Sequence, residues 1–454
     1  MADESLKLAI ELESLFHKYK TSTNPSANSS LTEPSSKLWQ SILQKKGRYK
    51  DLTGRVFATV QDTNDEEREK LAHFFALLRG PQWRSKTGWI PIEQSTPTPA
   101  PYLHGISTIP SPLNAQISTV SAIHLARLGC MGDLASLPLS FSNCSELNLK
   151  FNRIFASLPP SFSQMGSLQV IDISNNALCF DVVLFDISSL KLLRYFDLSY
   201  NKLFGSFSAT MFQNNTVLES VDFSGNHLSG NLPHLFSSYL TSVRFASNQF
   251  SGIIPATWAQ LVSLETLDLS QNLLTGEVYV ITSLTQLRHL HLEHNNFSGE
   301  IPHMISVLSE LETLYLKNNA LTGGIPDALC EIVSLRRLDL AKNRLCYCIP
   351  FNIGRLSNLE TLNLSGNSFI PILPESLSEL TRLHFFMSCS SEGADVSSQF
   401  DLEKFQKLCR LHKETGVDSF TTTYEALYGS AVNLPMLEED RQWKSSFGCA
   451  EDRS

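Results

Sequence analysis

Residues 264–276 read LETLDLSQNLLTG, with leucines at 264, 267, 269 and 274, an asparagine at 272 and a glycine at 276. Leucines at this spacing alone would fit any buried strand. Asn272 is the informative letter, because an amide fixed among leucines must find hydrogen-bond partners, and in a stack of similar turns the neighbouring backbone supplies them. Close copies recur along the chain. The residues in the asparagine slot are Leu128, Asn152, Asn176, Asn201, Asn226, Asn248, Asn272, Asn295, Asn319, Asn343 and Asn367, at steps of 22 to 25 residues. A period of this size marks stacked repeat units, and the ten asparagines are expected to form a structural ladder through the stack. A partial further copy, LHFFMSC from Leu383, is placed to close the sheet.

Most copies run on into a second motif: FSGIIP at 250–255, FSGEIP at 297–302 and LTGGIP at 321–326. Glycine permits positive φ there, and proline stops an internal strand from continuing. Together the two motifs, over residues 118–390, resemble leucine-rich-repeat proteins of the plant receptor-like (LxGxIP) subclass. The resemblance implies an α/β fold, a right-handed solenoid with a curved parallel concave sheet, a second convex strand in each unit, and helical N- and C-terminal caps. Two units depart from the pattern, ALCFDVVLF at 177–185 and LCYCIP at 345–350, and local bulges are expected on their convex side. The family's cap reads C-x-W-x-G-V-x-C. Here PYLHGIST at 101–108 keeps Gly105 and Ile106 but has Pro101, Leu103 and Thr108 in place of Cys, Trp and Cys, so the cysteine cap is lacking.

The flanking sequence divides by composition. Residues 1–60 read as N-terminal helices (1–20 and 37–46) around the polar linker TSTNPSANSSLTEPSS. Residues 61–117 form an N-terminal cap, in which Thr63 and Glu66 make a capping box, Leu71, Phe74, Phe75 and Leu78 share a helix face, and Trp83 and Trp89 follow. The solenoid occupies 118–390, a C-terminal cap helix is expected over 391–416, and 417–454 is a tail.

A net charge of −9 on 454 residues argues against nucleic acid, since phosphate binding wants a basic face. No signal peptide is evident at the start, and no apolar run approaches the roughly 20 residues of a membrane span. Nine scattered cysteines, without a paired framework, fit free thiols in a reducing compartment. The expectation is therefore a cytoplasmic chain, although five N-x-S/T sequons, at Asn28, Asn143, Asn214, Asn296 and Asn363, point the other way, toward the cell surface or secretion. No phosphate loop, nucleophile elbow, zinc-protease or kinase signature is present. The chain reads as a non-enzyme without cofactors.

Function is sought on the concave face, where side chains alternate along each strand. Asp172, Asp197 and Asp222 fall on adjacent turns as an acidic track flanked by Tyr195 and Tyr200, and Arg244 and Asp268 continue the column. Farther on, His289, His291, Glu293, Tyr315, Lys317, Arg337 and Asp339 make a mixed patch of rings and charges, the composition that binding hot spots favour. His289, His291 and Glu293 could in principle meet a zinc ion, but residues two apart on a strand lie roughly 7 Å from one another, so no metal site is assigned. The histidines would instead give a pH-sensitive contact. The reading is an intracellular recognition module that binds a protein or peptide partner on its concave face; the alternative is a secreted or cell-surface receptor-like ectodomain.

Overall fold

The structure, a computed structural model, describes residues 65–79, 82–84, 105–110, 118–137, 139–369, 374–383 and 385–387. The helices expected over 1–20, 37–46 and 391–416, the tail, and Trp89 lie outside the described residues. The chain falls into two compact units, divided between Leu274 and Thr275.

The first described element is a helix, α1 (Asp65–Leu77). Its Leu71, Phe74 and Phe75, with Leu78 just beyond, are all buried, as their spacing predicts. Two polar contacts fix how it docks. Glu67 is buried and accepts the backbone N–H of Val120 at 2.8 Å, and Trp83 donates its indole N–H to the Leu78 carbonyl at 2.7 Å. At the far end the Leu77 carbonyl packs so closely on Gly132 that a Cβ there would collide with it. The next element is absent from the sequence reading: Ile106–Pro110 is a strand running antiparallel to Ser118–His124. Its Pro110 and lack of alternation hide it.

From Ser118 on, each repeat contributes a three-residue strand to a parallel sheet. Glu146–Asn148, Val170–Asp172, Tyr195–Asp197, Ser220–Asp222, Ser242–Arg244 and Thr266–Asp268 pair in this order, in unbroken register. The middle residue of each points inward; Ile171, Phe196, Val221, Val243 and Leu267 are fully buried. Phe196 in a middle slot and Phe223 and Phe245, each just after a strand, stand where the repeat has leucine, and they pack ring to ring at 5.3 and 6.0 Å.

On the opposite face convex strands form where the glycine motif is intact, and also at Arg153–Ala156, where Ala156 takes φ +71° in the glycine slot. His227–Asn231 pairs with Gln249–Gly252. Near Leu178 the result is an interruption and not a bulge: the two-residue strand Ala177–Leu178 ends the pairing that runs through Met131–Asp133 and Arg153–Ala156, and only the bridge from Asp181 to Phe204 follows. Buried Phe180 occupies the glycine slot there.

The second unit repeats the plan. His289–His291, Thr313–Tyr315, Arg337–Asp339, Thr361–Asn363 and Phe385–Met387 pair in parallel, the last being the partial copy placed to close the sheet. Asn296–Glu300 pairs with Ala320–Thr322 on the convex side. Near Leu345 no convex strand forms among the described residues. Tyr347 takes φ +66° in the slot where glycine is expected, so the turn is kept, and Arg344 and Cys346 still donate their backbone N–H groups to the Leu321 and Gly323 carbonyls at 2.8 Å.

The asparagine ladder runs through both units. Asn272 donates to the carbonyls of Phe245 (2.9 Å) and Leu269 (3.1 Å) and accepts the Phe250 N–H at 3.0 Å, tying its turn to the one before. Asn343 does the same with Leu316, Leu340 and Leu321. Just before each ladder asparagine the backbone is left-handed, in residues as varied as Phe151, Tyr200, Gln271, His294 and Lys342, with φ between +52° and +58°. Each such residue costs on the order of 1 kcal/mol; three or more hydrogen bonds per asparagine offset it.

Candidate functional site

The aspartate column behaves differently from the alternating rule. Asp172 and Asp197 are 3% and 9% exposed, although the sequence reading turned them to solvent. Their carboxylates fold back over the next turn. Asp172 accepts the Ser174 N–H and hydroxyl, Asp197 the Ser199 N–H at 2.9 Å, Asp222 the Ser224 N–H at 2.8 Å, and Asp268 the Ser270 N–H at 3.0 Å. The recurrent Asp-x-Ser is therefore a turn-building device, in which a side-chain oxygen satisfies the N–H two residues on.

Crowding three carboxylates in register on adjacent strands has electrostatic consequences. Lys150 lies 2.8 Å from Asp172 and neutralises one of them. Burial, and then the charge of Asp197, pushes the Asp222 carboxyl up to about 6, against weaker opposition from its bonds to Ser224 and from Arg244. Burial also raises Asp197. Tyr195 donates its hydroxyl to Asp197 at 3.2 Å, and burial together with the surrounding acids raises the phenol as well. Arg244 spends one N–H on Ser242 at 2.6 Å, while Tyr200 stands 60% exposed on its left-handed turn. Most of this track is committed to holding itself together.

The second unit's patch is built another way. Its side chains form two rows across consecutive strands: His289, Thr313, Arg337 and Thr361 in one, His291, Tyr315, Asp339 and Asn363 in the other. At about 4.8 Å between strands, four strands give rows about 14 Å long. His291 and Tyr315 stack, with ring centroids 4.9 Å apart and planes at 25°. Burial raises the Tyr315 phenol, and the Arg337 guanidinium hydrogen-bonded to it opposes the shift. Asp339 and Asn363 are taken up by turns, accepting the Ala341 N–H at 3.0 Å and the Ser365 N–H at 3.3 Å, whereas the histidines, Tyr315 and Arg337 are not. Arg337 is exposed, and His289, His291, Glu293, Tyr315 and Lys317 are half-buried: held by neighbours, yet open on one side. Thr313 and Thr361 complete the first row and were not among the residues singled out from sequence. Among the described residues no group of three or more His, Cys, Asp or Glu is placed to hold a metal ion. Nor, among them, is any helix long and apolar enough to cross a membrane. Six described cysteines, at 130, 144, 179, 330, 346 and 348, are free thiols.

The register, the ladder and the two-faced turn now stand together with the sequence comparisons. The family model described as "Leucine rich repeat" matches residues 238–297 and 285–345, and a second of that description matches 217–239 and 358–380. The chain is a leucine-rich-repeat protein. Its repeats are of the plant receptor-like type: Receptor-like protein 41 of Arabidopsis thaliana is 33% identical over 157 residues, 33% of this chain and 18% of that protein. The leucine-rich-repeat chain spans only 14% to 18% of the length of the curated relatives it matches. Among solved structures it is similar to the Arabidopsis receptor kinase HAESA in complex with the peptide hormone IDA and the co-receptor SERK1, with a TM-score of 0.54, 30% identity, and 59% of this chain and 45% of that one covered. It is also similar to the plant peptide hormone receptor RGFR1 in complex with RGF2, with a TM-score of 0.50, 29% identity, and 54% of this chain and 39% of that one covered.

Proposed function

We propose that this chain is the ligand-recognising repeat region of a receptor-like protein, and that it binds an extended peptide or protein segment along the rows His289 to Thr361 and His291 to Asn363. One observation carries the reading. Where the first unit's column folds its carboxylates into turns, the second unit presents a stacked His291–Tyr315 pair beside an exposed arginine, with most of these groups not used by the turns. Aromatic rings and arginine are the residues that dominate binding energies. Because the sheet holds them in place, binding orders little on this side. The role is binding and not catalysis. The likeness to receptors solved with peptide hormones supports a peptide as the ligand class.

The same likeness favours the cell surface or secretion over the cytoplasm. The absent cysteines at Pro101 and Thr108 are the observation on the cytoplasmic side. Glycosidase treatment of protein from its native cells decides between them: a mobility shift mapped to the exposed Asn214 sequon supports the receptor-like reading, and an unglycosylated Asn214 with reduced thiols throughout returns the chain to the cytoplasm. For the binding face, affinity capture is run side by side with the wild type and the Tyr315→Ala/Arg337→Ala variant. A partner retained by the first and lost by the second is expected. Identical recoveries would refute the assignment.

A further inference from the structure

Gly129 is unlike the other positive-φ glycines of the coil. At Gly225 and Gly252 an added Cβ would run into Tyr200 or Asn231, whereas at Gly129, with φ +80°, it would meet nothing within 4 Å. The space beside it is a cleft of about 280 Å³ lined by Gln82, Arg84, Gly129, Met131, Phe151 and Arg153. The backbone sets the two arginines on either side of that glycine. Arg84 donates its N–H to the Leu128 carbonyl and Arg153 to the Cys130 carbonyl, both at 2.8 Å, so the cap segment and the second repeat clamp the loop 128–130 between them. A third cation reinforces the potential: the Arg127 guanidinium lies 3.9 Å from the centroid of the Phe151 ring. Phe151 is itself 41% exposed, and it takes a left-handed backbone.

No carboxylate lines the cleft, and among the described residues none pairs with Arg84, Arg127 or Arg153. In a chain of net charge −9, three arginines gathered without an acid are not explained by surface balance. Guanidinium forks match the paired oxygens of a phosphate or carboxylate, and Phe151 and Met131 add an apolar, polarisable wall.

We infer that this cleft binds an oxyanion carried on a compact apolar group, as in an aryl phosphate or an aromatic carboxylate. The site belongs to the first unit and does not depend on the binding face proposed above.

The test is equilibrium dialysis of the full chain at low salt against phenyl phosphate, benzoate, inorganic phosphate and benzyl alcohol. Saturable binding of phenyl phosphate is expected, about tenfold tighter than inorganic phosphate, with benzyl alcohol unable to compete. Benzoate binding beside phenyl phosphate would establish the shared oxyanion chemistry, and whichever binds more tightly names the source. Arg84→Gln/Arg153→Gln should weaken phenyl phosphate at least about tenfold, and Arg153→Lys, which keeps the charge and the fold but not the fork, should weaken it severalfold. Tyr315→Ala should leave it unchanged. Absence of saturable binding, inorganic phosphate binding as tightly as phenyl phosphate, or affinity indifferent to Arg153→Lys would each overturn the inference.

Discussion

Asp222→Asn should make the protein more stable at neutral pH and leave it unchanged in acid. The Asp222 carboxyl is raised from its ordinary 3.8 to about 6 by burial and by the neighbouring Asp197. A shift of about 2 units at 1.36 kcal/mol each is a folding cost of about 3 kcal/mol once the group is charged in both states. The sign follows from proton counting. Between pH 4 and 6 Asp222 holds a proton in the folded chain that it has released in the unfolded chain, so its contribution to stability is greatest below pH 4 and is lost as pH rises through 6. Asparagine cannot charge, yet it can keep the turn, because Asn363 in the same column accepts the Ser365 N–H at 3.3 Å and its hydroxyl at 2.8 Å. The expected gain is about 2–3 kcal/mol at pH 7.5 and close to zero at pH 4. Urea midpoints of wild type and variant at both pH values measure it. A variant that is no more stable at pH 7.5, or that gains equally at both, would refute the electrostatic argument and leave only the turn.

Three further outcomes follow from named contacts. Asn272→Leu strands the Phe250 N–H and the Phe245 carbonyl, and should cost about 1–3 kcal/mol, read from the melting midpoint. Gly132→Ala drives a Cβ into the Leu77 carbonyl, so α1 should detach from the first unit; faster amide exchange over 65–77 with intact exchange over 289–363 is the signature. Burial pushes the thiols of Cys130, Cys144 and Cys330 up to about 12, so peptide mapping after native alkylation at pH 8 should find them unmodified beside a labelled, exposed Cys179.

The coil was legible because its asparagine is an expensive residue to place among leucines, and only a ladder accounts for it. The LxGxIP motif likewise announced the convex strands, but its failure at Phe180 pointed to a bulge where the structure has an interruption. Other features left no trace in the letters. Phe151, Gln271 and Lys342 share a left-handed backbone although nothing in their side chains demands it, since the hydrogen bonds of the next residue impose it. Asp172 and Asp197 defeated the alternating rule, because a strand of three residues turns at once and the carboxylate follows the turn. The mixed patch stood out in sequence as a departure from that aspartate habit. Its stacking of His291 on Tyr315 and its second row through Thr313 and Thr361 needed the register, and the arginine cleft needed the docked cap.

The most direct measurement of the binding claim is a site-specific photo-crosslink. A photoreactive residue is placed at Lys317, beside the aromatic pair, and in a separate preparation at Phe351, which is 68% exposed. Each is irradiated with the native ligand fraction. The account predicts a ligand adduct from position 317 and none from 351; adducts from 351 alone, or equal yields from both, would contradict it.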